Sequence, residues 1–131
     1  MASGPDAPRG LIACPPNELH EVGPRMLADA LEADGWQVDF FGVRTPLSGV
    51  VAAVRERRPR FVGLTCAIPR NLDGLRDTIR DLHDELGAEC PPIVVGGNVF
   101  RGDPELWKES GADLFAPDLD TAVELLRAYK G

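Results

Sequence analysis

The chain is short of the residues by which several protein classes declare themselves. Its three cysteines, Cys14, Cys66 and Cys90, are odd in number, widely spaced and without a CxxC pair. That excludes an obvious disulfide framework or zinc ribbon and leaves buried thiols as the simplest reading. Basic side chains are outnumbered 14 to 21 by acidic ones, a net charge of −7, which would repel a phosphate backbone; direct nucleic-acid binding is not expected. No apolar run approaches the roughly 20 residues that span a bilayer, and the opening "MASGPDAPRG" lacks the apolar core of a signal peptide. The expectation is a cytoplasmic protein with no membrane partner. Histidine is scarcer still, with only His20 and His83.

What is present suffices for one domain. At 131 residues and 44% hydrophobic content, the chain can bury a core without disulfide or metal staples. Residues 1–9, small, polar and proline-containing, read as a flexible tail or linker, and 10–131 as the folded domain. Five short β-prone runs, 11–14, 38–41, 61–67, 92–97 and 113–117, are largely continuous in apolar character, as strands covered on both faces tend to be. Between them run helical stripes: Val22, Met26, Leu27, Ala30 and Leu31; then Leu47, Val50, Val51 and Val54; then Leu72, Leu75, Ile79, Leu82 and Leu86. Thr45-Pro46 and Asp103-Pro104 each place a capping oxygen before a proline at a first helical position. Gly35, Gly87 and Gly111 stand where helices should stop. The basic run Arg55, Arg57, Arg58 and Arg60 suits a helix C-terminus and reads as a solvated face.

Strict β-α alternation predicts an α/β fold with right-handed crossovers and a parallel sheet covered on both faces. Five strands suggest the flavodoxin-like, Rossmann-like, doubly wound order 2-1-3-4-5. Ligands of such sheets bind beyond the carboxyl ends of the strands, at the switch point between strands 1 and 3. The loops 14–23, 65–71 and 96–103 therefore lie on the functional edge. The clustered aspartates and the lysine of a phospho-receiver are missing, since Cys14-Pro15-Pro16, Thr65-Cys66 and Ala116-Pro117 stand in their places after strands 1, 3 and 5. The first loop, "CPPNELHEVG", has two prolines and no serine or threonine, a poor cradle for a dinucleotide or flavin phosphate. It does carry Glu18-Leu19-His20-Glu21-Val22-Gly23. A histidine at the switch point can reach a metal centre, while a carboxylate two residues earlier accepts its other N–H. Gly23 would allow a ligand or the helix to approach where a Cβ would collide.

These residues resemble the signature of the cobalamin-binding domain family of methionine synthase, corrinoid methyl carriers, adenosylcobalamin mutases and cobalamin-dependent photoreceptors. The family reads D/E-x-H-x-x-G, then S/T-x-L, then G-G; here Glu18-x-His20-x-x-Gly23, Thr65-Cys66-Ala67 and Gly96-Gly97 occur in that order over residues 10 to 128. The resemblance implies that His20 replaces the cofactor's benzimidazole as lower axial ligand of cobalt, oriented by Glu18. It implies that the displaced nucleotide tail inserts beside the sheet, where Thr65 supplies a hydroxyl and Gly96-Gly97 keep a slot open. Leu19, Glu21, Val22, Gly23, Cys66, Ala67 and Asn98 are the remaining candidate cofactor-binding residues. Glu18 is one methylene longer than the aspartate common in the family, and Ala67 is smaller than the usual aliphatic residue. Thr65 as a strand cap and the glycines as plain turns remain alternatives, as does Phe100 as core; His83 carries no assigned role.

Within the family, "GGNVFRGDPEL" and "GADLFAPD", together with glutamate in the first motif, look like the photoreceptor regulators. The expectation is a sensory or regulatory, light-responsive module without catalytic activity of its own, favouring adenosylcobalamin. A corrinoid methyl carrier using methylcobalamin and serving a separate methyltransferase is the alternative; a small-molecule binder unrelated to cobalamin is a third. Either cobalamin reading requires a helical cap or output domain on another chain or a missing region.

Overall fold

The structure, a computed structural model, describes residues 7–14, 22–42, 45–67, 69–100, 103 and 105–130. Five strands, β1 (Arg9–Ala13), β2 (Gln37–Phe41), β3 (Val62–Thr65), β4 (Ile93–Gly96) and β5 (Leu114–Phe115), form one sheet in the order β2-β1-β3-β4-β5. Every pairing is parallel, as the alternation of apolar runs and helical stripes predicts. Helices α1 (Val22–Ala33), α2 (Leu47–Arg57), α3 (Leu72–Leu86), α4 (Leu106–Glu109) and α5 (Leu119–Arg127) connect or follow the strands.

Side-chain alternation along each strand divides the core in two. On one face Leu11, Ala13, Val62, Leu64, Ile93 and Val95 pack against α2 and α3. All five apolar positions expected on α3 are buried there, Leu75 and Leu82 completely. Each such side chain contributes about 1.5–3 kcal/mol through the apolar area it removes from water. On the other face Ile12, Phe61 and Val94 meet Ala28 and Leu31 of α1 and Ala122 and Leu126 of α5, with Trp36 and Phe61 in edge contact at 5.0 Å.

Two local expectations are revised. Met26 is 51% exposed; α1 turns Ala28 and Leu31 inward instead, so its buried stripe lies to one side of Met26. Thr45 does not cap α2: Pro46 occupies the N-cap with extended ψ of 159°, and no side chain accepts there. A proline's fixed φ suits that position as well as the next. The arginine run is exposed, as expected, and within it Arg57 pairs with Asp39 at 2.7 Å and Arg55 donates to the Glu85 carbonyl at 2.8 Å. By contrast, Asp103 accepts from the Glu105 amide at 3.1 Å at the head of the short α4. Gly35, Gly87 and Gly111 follow α1, α3 and α4 with positive φ.

Candidate functional site

A cavity of about 670 Å³ opens at the carboxyl ends of the strands and runs down the face covered by α1 and α5. Its sheet wall is Gly63, Leu64 and Thr65 of β3 with Val94, Val95 and Gly96 of β4. Its helical walls are Gly23, Pro24 and Leu27 of α1 and Leu119, Asp120, Ala122 and Leu126 of α5. Ala67, Gly97 and the turn Ala116-Pro117-Asp118 complete it. The volume is that of a site for a drug-sized ligand. Among the described lining residues carboxylates occur only on Asp118 and Asp120, at the head of α5; apart from Thr65 the rest are apolar or glycine. Asp118 also caps α5, accepting from the Thr121 amide at 2.8 Å.

The strand register brings distant sequence motifs together. Thr65 and Gly96 are direct partners across β3 and β4, hence on the same face of the sheet, and both line the cavity. Beyond them the Cys66 amide donates to the Gly96 carbonyl at 3.0 Å, and the Val99 amide donates to the Cys66 carbonyl at 3.3 Å. The Cys66 side chain itself is buried on the α2–α3 side, away from the cavity. Asn98 opens a 3₁₀ turn ending at Phe100; Phe100 is fully buried and belongs to the core. Val22 begins α1. Glu18, Leu19, His20 and Glu21 lie outside the described residues, but both chain ends of that loop are fixed, at buried Cys14 after β1 and at Gly23, which lines the cavity mouth.

The glycines of the site differ in what requires them. A Cβ on Gly97, whose φ is +119°, would overlap the Cys66 carbonyl group and come within 2.9 Å of its amide nitrogen. One on Gly96 would lie 2.9 Å from the Ala116 carbonyl oxygen. Both therefore answer to backbone packing. A Cβ on Gly23 meets nothing within 4 Å, although glycine in a helix costs about 1 kcal/mol relative to alanine. Among the described residues no neighbour explains Gly23, which lines the cavity.

The sequence profile of the B12 binding domain family matches residues 8–126. The chain belongs to the B12 binding domain family. Cobalamin is thus the ligand class of the family, and the largely apolar, glycine-lined cavity beside the sheet fits an elongated group that must be desolvated as it enters. Among relatives, the domain is 35% identical over 98 residues to the HTH-type transcriptional repressor CarA of Myxococcus xanthus, covering 74% of this chain and 33% of the repressor. It is 26% identical over 107 residues to dimethylamine corrinoid protein 2 of Methanosarcina acetivorans, covering 81% and 48%. A crystal structure of a cobalamin-binding protein from Desulfitobacterium hafniense superposes with a TM-score of 0.83 at 25% identity, over 95% of this chain and 59% of that one. The B12 binding domain thus spans about a third of the repressor and about half of the corrinoid protein.

Sequence reasoning reached the β3 and β4 sides of the site but missed Gly63 and the whole α5 wall. The α5 signal was present in "APDLDTAVELL", an aspartate cap followed by apolar positions at helical spacing. The described residues contain no cluster of three or more His, Cys, Asp or Glu side chains able to hold a metal, and no helix among them is long and apolar enough to cross a membrane.

Proposed function

We propose that the domain holds cobalamin with its nucleotide tail in the α1–α5 cavity and His20 as lower ligand to cobalt, and that it works as a sensory or regulatory module. The observation that carries this reading is the cavity itself, which has Gly23, the last residue of the first motif, in its lining and is largely apolar where a displaced tail would lie. A neutral His20 imidazole would donate one nitrogen to the metal and the other N–H to Glu18, which would hold the ring's orientation and raise its basicity. Thr65 would offer a hydroxyl to the tail; Gly23 would admit it at the mouth; Leu19, Glu21, Val22, Ala67 and Asn98 would border it. Cys66, Gly96 and Gly97 would serve through the backbone that shapes the slot. Bound cobalamin supplies a cobalt–carbon bond that light can break when the upper ligand is adenosyl.

The sensory reading rests on the similarity to a transcriptional repressor, the higher in identity of the two relatives described. The adenosyl form, a helical cap or output element elsewhere, and action in the cytoplasm belong to the same reading. The corrinoid-protein similarity supports the second reading, a methyl carrier for a separate methyltransferase.

Absorption spectra with adenosyl- and methylcobalamin, in wild type and His20→Ala, test the ligation. Wild type should show a displaced benzimidazole with histidine on cobalt, and the variant should lose that spectrum and most affinity. Acidification should mimic the variant, since protonated imidazole cannot donate to metal. A His20→Ala spectrum and affinity equal to wild type would overturn the assignment.

A further inference from the structure

We propose that Gly63 sets how deeply the cofactor's tail can seat, and so makes the domain select corrinoids with a complete, aromatic-based nucleotide tail over tail-less ones. This rests on the reading that the tail occupies the α1–α5 cavity. Gly63 lies in the middle of β3, flanked by the buried Val62 and Leu64. Its missing side chain would project to the face occupied by Ile12 and Val94, the face on which the cavity lies.

The fold itself does not ask for glycine there. A Cβ at Gly63 would sit 3.4 Å from Ile12 Cγ1, 3.7 Å from Phe61 Cε1 and 3.7 Å from Val94 Cγ1, all ordinary van der Waals separations. Its φ is not in the left-handed region that glycine favours. A strand-interior glycine is costly, because the unfolded chain gains freedom and no side chain packs. An alanine should therefore be neutral or stabilising for the empty fold. The remaining consequence of glycine is open space in the wall of the cavity. Val94, Ala122 and Leu126 around it are aliphatic, suited to a flat aromatic base and unsuited to a phosphate or sugar.

This position differs from Gly96 and Gly97, where any substitution also strains the backbone. The test compares the full chain with Gly63→Ala and Gly63→Val, titrated with cobalamin and with cobinamide, which lacks the nucleotide tail, alongside thermal melts. Wild type should prefer cobalamin. Gly63→Ala should weaken cobalamin binding about tenfold, in line with overpacking a fitted interior, and Gly63→Val should weaken it further. Cobinamide affinity should not change, and Gly63→Ala should melt no lower than wild type. Wild-type cobalamin affinity in folded Gly63→Ala and Gly63→Val would overturn the role of Gly63 while leaving the tail-in-cavity reading intact. Equal loss of cobalamin and cobinamide would also overturn it, since the damage would not concern the tail. Equal binding of the two ligands by wild type would overturn both readings together.

Discussion

The guanidinium of Arg127, at the end of α5, grips the carboxylate of Asp34, just beyond α1, with two hydrogen bonds of 3.0 and 3.1 Å. Lys130 adds an ion pair at 3.2 Å and donates to the Asp34 carbonyl. The two helices so joined are the two helical walls of the cavity, and the clasp lies at the end away from its mouth. Asp34 thus ties the C-terminal ends of the two helical walls together.

Arg127 and Lys130 hold the Asp34 carboxyl at about 2, below its ordinary 3.8. A lowered carboxyl pKa stabilises the fold fully above the ordinary value, and that contribution is lost as pH falls through the lowered one. Arg127→Met should therefore melt somewhat below wild type near neutrality, with the gap closing between pH 4 and pH 2. High salt should shrink the same gap, because the pair is solvent-accessible. A gap that stays constant across this range would show that the arginine acts through packing of its stem instead.

Gly10 and Phe61 give a contrasting case. A Cβ on Gly10 would overlap the Phe61 ring, which is fully buried and in edge contact with Trp36. Gly10→Ala should destabilise the domain by about 1–3 kcal/mol, the usual cost of overpacking a core, measured by denaturant unfolding. Paired with Phe61→Leu, the alanine should cost distinctly less, since the smaller side chain vacates the space. Equal cost in both backgrounds would place the strain elsewhere.

The legible part of the fold was the part written as periodicity. Leu75, Ile79 and Leu82 recur at spacings of three and four and are buried together, and the strand runs are apolar because both faces are covered. The α1 face was harder to read, because Met26 fits the helical period as well as Ala28 does and only the packing of α1 on β2 and α5 decides between them. Gly63 was invisible for a different reason: inside an apolar run, a glycine looks like a neutral filler until the cavity beside it is known. Gly97 was picked out as slot-forming, yet the closeness of the Cys66 backbone is a long-range contact that no local pattern encodes. The ligand class was legible because three short motifs together resemble a family signature, and two of them, at Thr65 and at Gly96-Gly97, lie at neighbouring strand ends that the parallel sheet brings to one edge.

The sensory and carrier readings diverge in what happens above the cofactor. A sensor must turn loss of the upper ligand into changed contacts, whereas a carrier must expose that ligand to a second protein that takes it. On the sensory reading, the chain loaded with adenosylcobalamin should associate differently in darkness and after green light, either with itself or with a helical partner supplied in trans. Size-exclusion chromatography with light scattering before and after illumination measures this directly. Methylcobalamin-loaded chain offered to a methyltransferase supplies the opposing arm. A light-dependent shift in association without methyl transfer supports the sensor. Unchanged association, together with passage of the methyl group to the methyltransferase, would replace it with the carrier, for which the same cavity and the same lower ligand serve equally well.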